Sequence, residues 1–128
     1  MKICIINNLY PPYARGGAEQ VVSKTVQGLL AKGHEIVLIT TCPSGKYVEK
    51  EGNLTIYRFK PKNLFFYTDA HKYNWFSRLL WHVLDIFHFS SAEYVEEILR
   101  KEKPDIVHTH NLMGIGFLIP NIIRKLKL

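Results

Sequence analysis

Two short stretches carry residue types that could do chemistry. Arg15-Gly16-Gly17 leads from an apolar run into a helical pattern, and His108-Thr109-His110-Asn111 closes another apolar run. A helix starting near Gly17 presents unpaired N–H groups and the positive end of its dipole beside two residues without Cβ, so a phosphate is its natural guest. Arg15 adds a charge that can fork onto phosphate or carboxylate oxygens. The plainer alternative is a tight turn with Arg15 solvated. Glu19 suits the helix dipole but repels a nearby phosphate unless it points away or accepts a ligand hydroxyl. His108 and His110 stand two apart, so on a strand their rings share one face near its carboxyl end. Three roles suit that pair: metal ligation, hydrogen bonding within the core, which fits His108 better, and contact with a substrate, which fits His110 and the following Asn111. A metal has the least support, because His34, His71, His82 and His88 are scattered and no cysteine lies close. With an ordinary pKa of about 6.5, His110 can donate or accept near neutral pH.

Strands and helices must hold these groups in place, and the sequence predicts both in alternation. "KICII", "EIVLIT" and "DIVHTH" are nearly continuous Ile- and Val-rich runs of the kind found in parallel sheets covered on both faces. "NLTIYRF" alternates and predicts an edge strand. The expected class is α/β with a mainly parallel sheet, its strands near 2–8, 35–41, 53–59 and 105–109. Ala18, Val22, Val26, Leu29 and Leu30 recur at helical spacing between the first two strands, with Gly33 as C-cap, giving a β-α-β unit with a right-handed crossover. Further helices are predicted at 74–88, at 91–102 and at 113–127, where Pro120 kinks or restarts the last. Gly114-Ile115-Gly116 opens that helix, and its glycines either admit a ligand or serve packing. In open parallel sheets ligands collect at the carboxyl ends of the strands, where both motifs lie. The Arg15-Gly16-Gly17 junction lacks the G-x-G-x-x-G spacing, so an ordinary NAD site is disfavoured.

Composition fits one globular domain over residues 1–128: 47% of residues are hydrophobic and 22% charged, without repeat or low-complexity tract. The formal charge of +6 favours an anionic partner without naming one, and no nucleic-acid motif is present. Cys4 and Cys42 sit in strand-like runs without C-x-x-C spacing, which predicts buried free thiols in a reducing compartment. No apolar run reads as a signal peptide or a span, so the expected location is cytoplasmic, with peripheral attachment to the inner membrane face left open. Residues 64–89 concentrate aromatics, including Phe65, Phe66, Tyr67, Trp75, Trp81 and Phe87. Core is the default reading for Phe76, Leu80, Val83, Leu84 and Phe87, with Arg78, His82 and Asp85 on the opposite, polar face. A lid and a membrane-surface element are the alternatives, with Lys60, Lys62, Lys72 and Arg78 nearby. The tail "RKLKL" reads as a solvated helix end.

"YPPYARGGAEQVVSKTVQGLLAKGHEIVLITT", followed by "KPDIVHTHN", resembles the amino-terminal domain of the family 4 glycosyltransferases, the retaining GT-B enzymes that move sugars from nucleotide donors. The resemblance implies a Rossmann-like three-layer fold that holds the acceptor, with a carboxyl-terminal domain holding the nucleotide sugar. It also implies that Gly16 and Gly17 face the donor diphosphate and that His110 contacts the transferring sugar or acceptor. In such enzymes the leaving phosphate takes the acceptor proton, so His110 orients and stabilises charge instead of acting as general base. Arg15 and Asn111 complete the expected binding set. No metal or cofactor is expected, since the nucleotide sugar is a substrate. The donor domain and its glutamate motif are not in these 128 residues, so the chain alone is expected to be inactive. The alternative is a stand-alone α/β module that binds an anionic ligand without catalysis.

Overall fold

In the computed structural model, which describes residues 1–14, 16–62, 67–86 and 89–128, strand alternation divides the core into two layers. Ile3 and Ile5 of β1 (Lys2–Ile6) face one way and Cys4 and Ile6 the other. The first pair packs with Ile36, Leu38 and Ile56 against Val22 and Val26 of α1 (Gly17–Ala31). The second packs with Val37, Ile39, Tyr57 and Phe59 against α3 (Phe89–Glu102) and α4 (Ile119–Leu126). A three-layer α/β domain results, with helices on both faces of the sheet.

The sheet has five strands in the order β3-β4-β2-β1-β5, where β2 is Glu35–Thr41, β3 Lys46–Glu51, β4 Leu54–Phe59 and β5 Ile106–Thr109. All neighbours are parallel except β3 and β4. Gly33, at φ +82°, ends α1 as expected: its N–H reaches the carbonyl of Leu30 at 2.9 Å and that of His34 reaches Leu29 at 3.2 Å. The last predicted helix is shorter than its periodicity suggested. Residues 113–118 are turns, and α4 begins with Pro120 in its first turn, where a missing N–H does no harm. Cys4 and Cys42 are both free and buried, and burial pushes the Cys4 thiol up to about 12.

Two expectations about position are corrected. Residues 53–59 do not form the edge. β4 lies between β2 and β3, which explains why Ile56, Tyr57, Arg58 and Phe59 are buried. On that side the edge is β3, every residue of which is exposed, so its "KYVEKE" shows no apolar signal; the opposite edge is β5, whose residues are exposed or half-buried and not covered on both faces as "DIVHTH" suggested. The second correction concerns α2 (Trp75–Ile86). Its Phe76, Leu80, Val83 and Leu84, predicted as core, are exposed, while Trp81 and Asp85 are buried. Phe65, Phe66 and Phe87 lie outside the described residues, as does the side chain of Tyr67.

Interior placement of β4 gives Arg58 a task that sequence reasoning missed. Its side chain is 2% exposed and reaches the segment that follows β1. Nη1 donates to the carbonyl of Tyr10 at 3.3 Å, Nη2 to that of Pro11 at 2.5 Å, and Nε to Glu49 at 3.1 Å. The rings of Tyr10 and Tyr13 lie 5.8 and 5.6 Å from the guanidinium carbon. One buried cation thus ties the Pro-Pro turn to the sheet. Replacing Arg58 by Met strands two carbonyls, and we expect urea unfolding to show a loss of about 2–4 kcal/mol. Glu49→Gln, at a half-exposed partner, should cost less than about 1 kcal/mol. Equal losses for the two variants would mean that the carbonyl contacts do not hold the turn.

Candidate functional site

β1 is where strand order reverses. The chain runs from β1 to β2, out to β3 at the edge and back into β4 between them, then returns to lay β5 on the other side of β1. Loops leaving the carboxyl ends of β1 and β5 therefore lead to helices on opposite faces of the sheet, the arrangement at which open α/β sheets form a ligand crevice. The Gly16-Gly17 turn lies on the first loop and His110-Asn111 on the second. Backbone and amide groups join the two loop bases. The N–H of His110 donates to Ile6 O at 2.9 Å and that of Asn8 to Asn111 O at 2.8 Å, while Asn7 Oδ1 accepts the Asn111 N–H at 3.1 Å.

On the first loop, Gly16 has φ −159° and ψ −160°, extended backbone that a larger residue also adopts, and Gly17 is the first residue of α1. A Cβ at Gly17 would meet nothing within 4 Å, and one at Gly16 only Glu19 Oε2 at 3.7 Å. Neither turn geometry nor internal packing demands these glycines; what they leave is open space over a helix start. The buried Glu19 carboxylate turns back and accepts the Gly16 N–H at 2.7 Å, capping its own helix. It thereby uses one amide, and the first-turn N–H groups of Gly17 and Ala18 have no intrahelical acceptor to reach. Arg15 lies outside the described residues.

On the second loop the roles of the histidines reverse the core expectation: His108 is exposed and His110 partly buried. Their rings are 4.3 Å apart between centroids. His110 Nε2 is shielded from solvent and has no hydrogen-bond partner among the described residues. Burial, helped by the neighbouring His108, holds the His110 pKa below its ordinary value, which favours the neutral ring and a hydrogen bond made without a charge. Asn111 Oδ1 accepts the Met113 N–H at 3.0 Å, which leaves its Nδ2 for any ligand.

Two residues absent from the sequence-derived set complete the site. Asn8, 1% exposed at the end of β1, has both amide atoms unpartnered among the described residues, although its carbonyl accepts from Thr40 and Thr41 hydroxyls. Its position at the carboxyl end of a predicted strand was the available signal. Asp85 of α2 is 1% exposed, and its carboxylate oxygens accept the Gly114 N–H at 2.9 and 3.0 Å. Gly114 and Gly116 stand at φ +88° and +116°, which only glycine adopts readily, so this loop needs both. No periodicity could reveal a carboxylate that holds a loop remote in sequence. A groove of about 680 Å³ lined by Tyr10, Val26, Leu30, Gly52 and Leu54, among others, contains neither Gly16, Gly17 nor His110. Among the described residues no three His, Cys, Asp or Glu side chains gather as a metal set.

The profile of the family described as Glycosyltransferase Family 4 matches residues 15–128. The chain is 34% identical over 128 residues, 99% of its length, to an "Uncharacterized 42.6 kDa protein in cps region" of Klebsiella pneumoniae, and spans 34% of that relative. No solved structure matches significantly.

The depressed pKa of His110 has a consequence for stability. In the window between its folded pKa and the unfolded value of about 6.5, the unfolded chain binds more protons, so folding weakens as pH falls through that window and is unaffected above it. NMR titration of the His110 ring should give a midpoint below about 6.5, and His110→Asn should remove its share of the pH slope. Asp85→Leu, which strands the Gly114 N–H, should cost about 1–3 kcal/mol in urea unfolding, whereas Asp85→Asn keeps an acceptor and should lose less.

Proposed function

Because the chain belongs to Glycosyltransferase Family 4, we propose that it forms the amino-terminal, acceptor-side domain of a GT-B enzyme of hexosyltransferase type, which moves a sugar from a nucleotide-sugar donor to an acceptor with retention. The acceptor is a glycan, a lipid-linked saccharide or a small molecule. A carboxyl-terminal domain supplies the donor pocket, and these 128 residues alone carry half a cleft and no activity. The enzyme works in the cytoplasm, at the inner membrane face where its acceptor is lipid-linked. It needs no metal or cofactor, the nucleotide sugar being a substrate, and nucleic acid is not a partner.

One observation carries this reading: the loop bases after β1 and β5 are joined across the switch point by the His110–Ile6, Asn8–Asn111 and Asn111–Asn7 bonds. The first-turn N–H groups of Gly17 and Ala18 stabilise the donor diphosphate as charge grows on it. Arg15 adds its charge there. Across the crevice, neutral His110 and the Asn111 amide hydrogen-bond hydroxyls of the transferring sugar or acceptor, and Asn8 gains a partner when a ligand hydroxyl reaches it. The bond from the anomeric carbon to the diphosphate oxygen breaks, the acceptor oxygen bonds to that carbon on the same face, and the acceptor proton passes to the departing phosphate. His110 orients its partner and transfers no proton.

Titration of labelled chain with UDP, UDP-sugars and GDP-sugars tests this. Shifts are expected at the amides of Gly16, Gly17 and Ala18 and at the His110 ring. Gly17→Ala separates ligand contact from structure: a Cβ there meets open space and a helix start favours Ala, so stability should hold or rise by up to about 1 kcal/mol while the shifts weaken. A folded chain with no shift at these positions would contradict the cleft assignment and favour a module that binds some other anion.

A further inference from the structure

α2 is an amphipathic helix turned the wrong way round for a core element. Trp81 and Asp85, 3% and 1% exposed, form its inward ridge. At about 100° per residue, Trp75, Leu79, Val83, Phe76, Leu80 and Leu84 follow one another round the opposite side through an arc of roughly 180°. All six are between 41 and 75% exposed. A packing seam with one partner helix needs a narrower stripe, and a patch this wide on a soluble chain marks an interaction surface.

Charge selects the occupant. Between residues 60 and 92 the sequence holds four Lys or Arg and two Asp. Asp85 is buried against Gly114 and Asp69 is paired with Lys72 at 3.1 Å, so neither presents an unpaired negative charge beside the arc. Arg78 and His82 flank the arc on the same helix, and both are exposed. Trp75 stands at its amino-terminal end. A broad apolar face with a terminal Trp and cationic flank is the profile of a helix lying in a bilayer interface, about 18 Å long here and too short to span. Among the described residues no helix is long and apolar enough to cross a membrane.

We infer that α2 docks the chain on an anionic membrane surface, its apolar arc in the acyl boundary and Arg78 among the headgroups. One consequence rests on the sugar-transfer reading while the docking itself does not. Because Asp85 on the inward ridge holds the Gly114 backbone, a lipid-borne acceptor would lie about one helix diameter, on the order of 10 Å, from the loop after β5.

Flotation with phosphatidylcholine vesicles, with and without phosphatidylglycerol, tests the docking. The chain should float with the anionic vesicles, bind less as salt rises, and show a blue shift in Trp emission. Trp75→Phe should abolish the shift and keep most of the binding, since Trp81 is already buried. Leu79→Ser with Val83→Ser should weaken partitioning roughly tenfold or more, and Arg78→Glu should weaken it only on anionic vesicles. All these side chains are exposed, so thermal melting should be unchanged in every variant. No flotation at low salt would overturn the inference. So would concentration-dependent self-association that Leu79→Ser and Val83→Ser abolish, because a second copy would then cover the face. Nucleotide-sugar shifts at Gly17 and His110 are read independently, so docking and sugar transfer can fail separately.

Discussion

The hydrogen bond from His110 N–H to the Ile6 carbonyl carries the β1–β5 ladder past the last paired residues, and everything at the crevice depends on it. It sets His110 beside the end of β1. Asn7 and Asn8 then bind the residue that follows, through the Asn111 N–H and carbonyl. Two loops that diverge by topology are thereby held together at their bases, and neither can shift without breaking polar contacts made by the buried Asn7 and Asn8.

Each loop also has an anchor on its far side. Arg58 takes the carbonyls of Tyr10 and Pro11 on the first, and Asp85 takes the Gly114 N–H on the second. Both anchors are buried charged residues, and each gains its counterpart from backbone, so the fold spends charged groups on loop position and not on core packing. The groups left over are Asn8, His110 Nε2 and the first turn of α1: uncharged hydrogen-bonding groups, with a dipole that favours anions. That combination suits hydroxyls and a phosphate better than it suits proton transfer.

Much of this was legible in the residues. Ile- and Val-rich runs located β1 and β2, which are buried on both faces, and the partly covered β5, alternation located β4, and Gly33 ended α1 because a left-handed residue was required there. β3 was not legible by apolar pattern, since none of its residues is buried. The readable signal was the Gly52-Asn53 turn, which joins Glu51 to Leu54 in register. Missing that strand made β4 look like the edge and hid Arg58. The periodicity of α2 marked two faces but could not say which packs, and the narrow Trp81–Asp85 ridge won because Asp85 had a backbone partner waiting. His110 and the Gly16-Gly17 turn were singled out by residue type and spacing, whereas the surroundings of Asn8 and Asp85 depend on neighbours far along the chain, which spacing does not encode.

The central claim is that the crevice between the loops after β1 and β5 receives the nucleotide sugar and its acceptor. A photoreactive nucleotide-sugar analogue, crosslinked to the chain and mapped by peptide mass spectrometry, tests it most directly. The account predicts adducts within residues 13–20 and 108–116, displaced by excess unmodified donor. Adducts confined to the groove between α1 and the β3–β4 turn, or spread over the surface without competition, would contradict it.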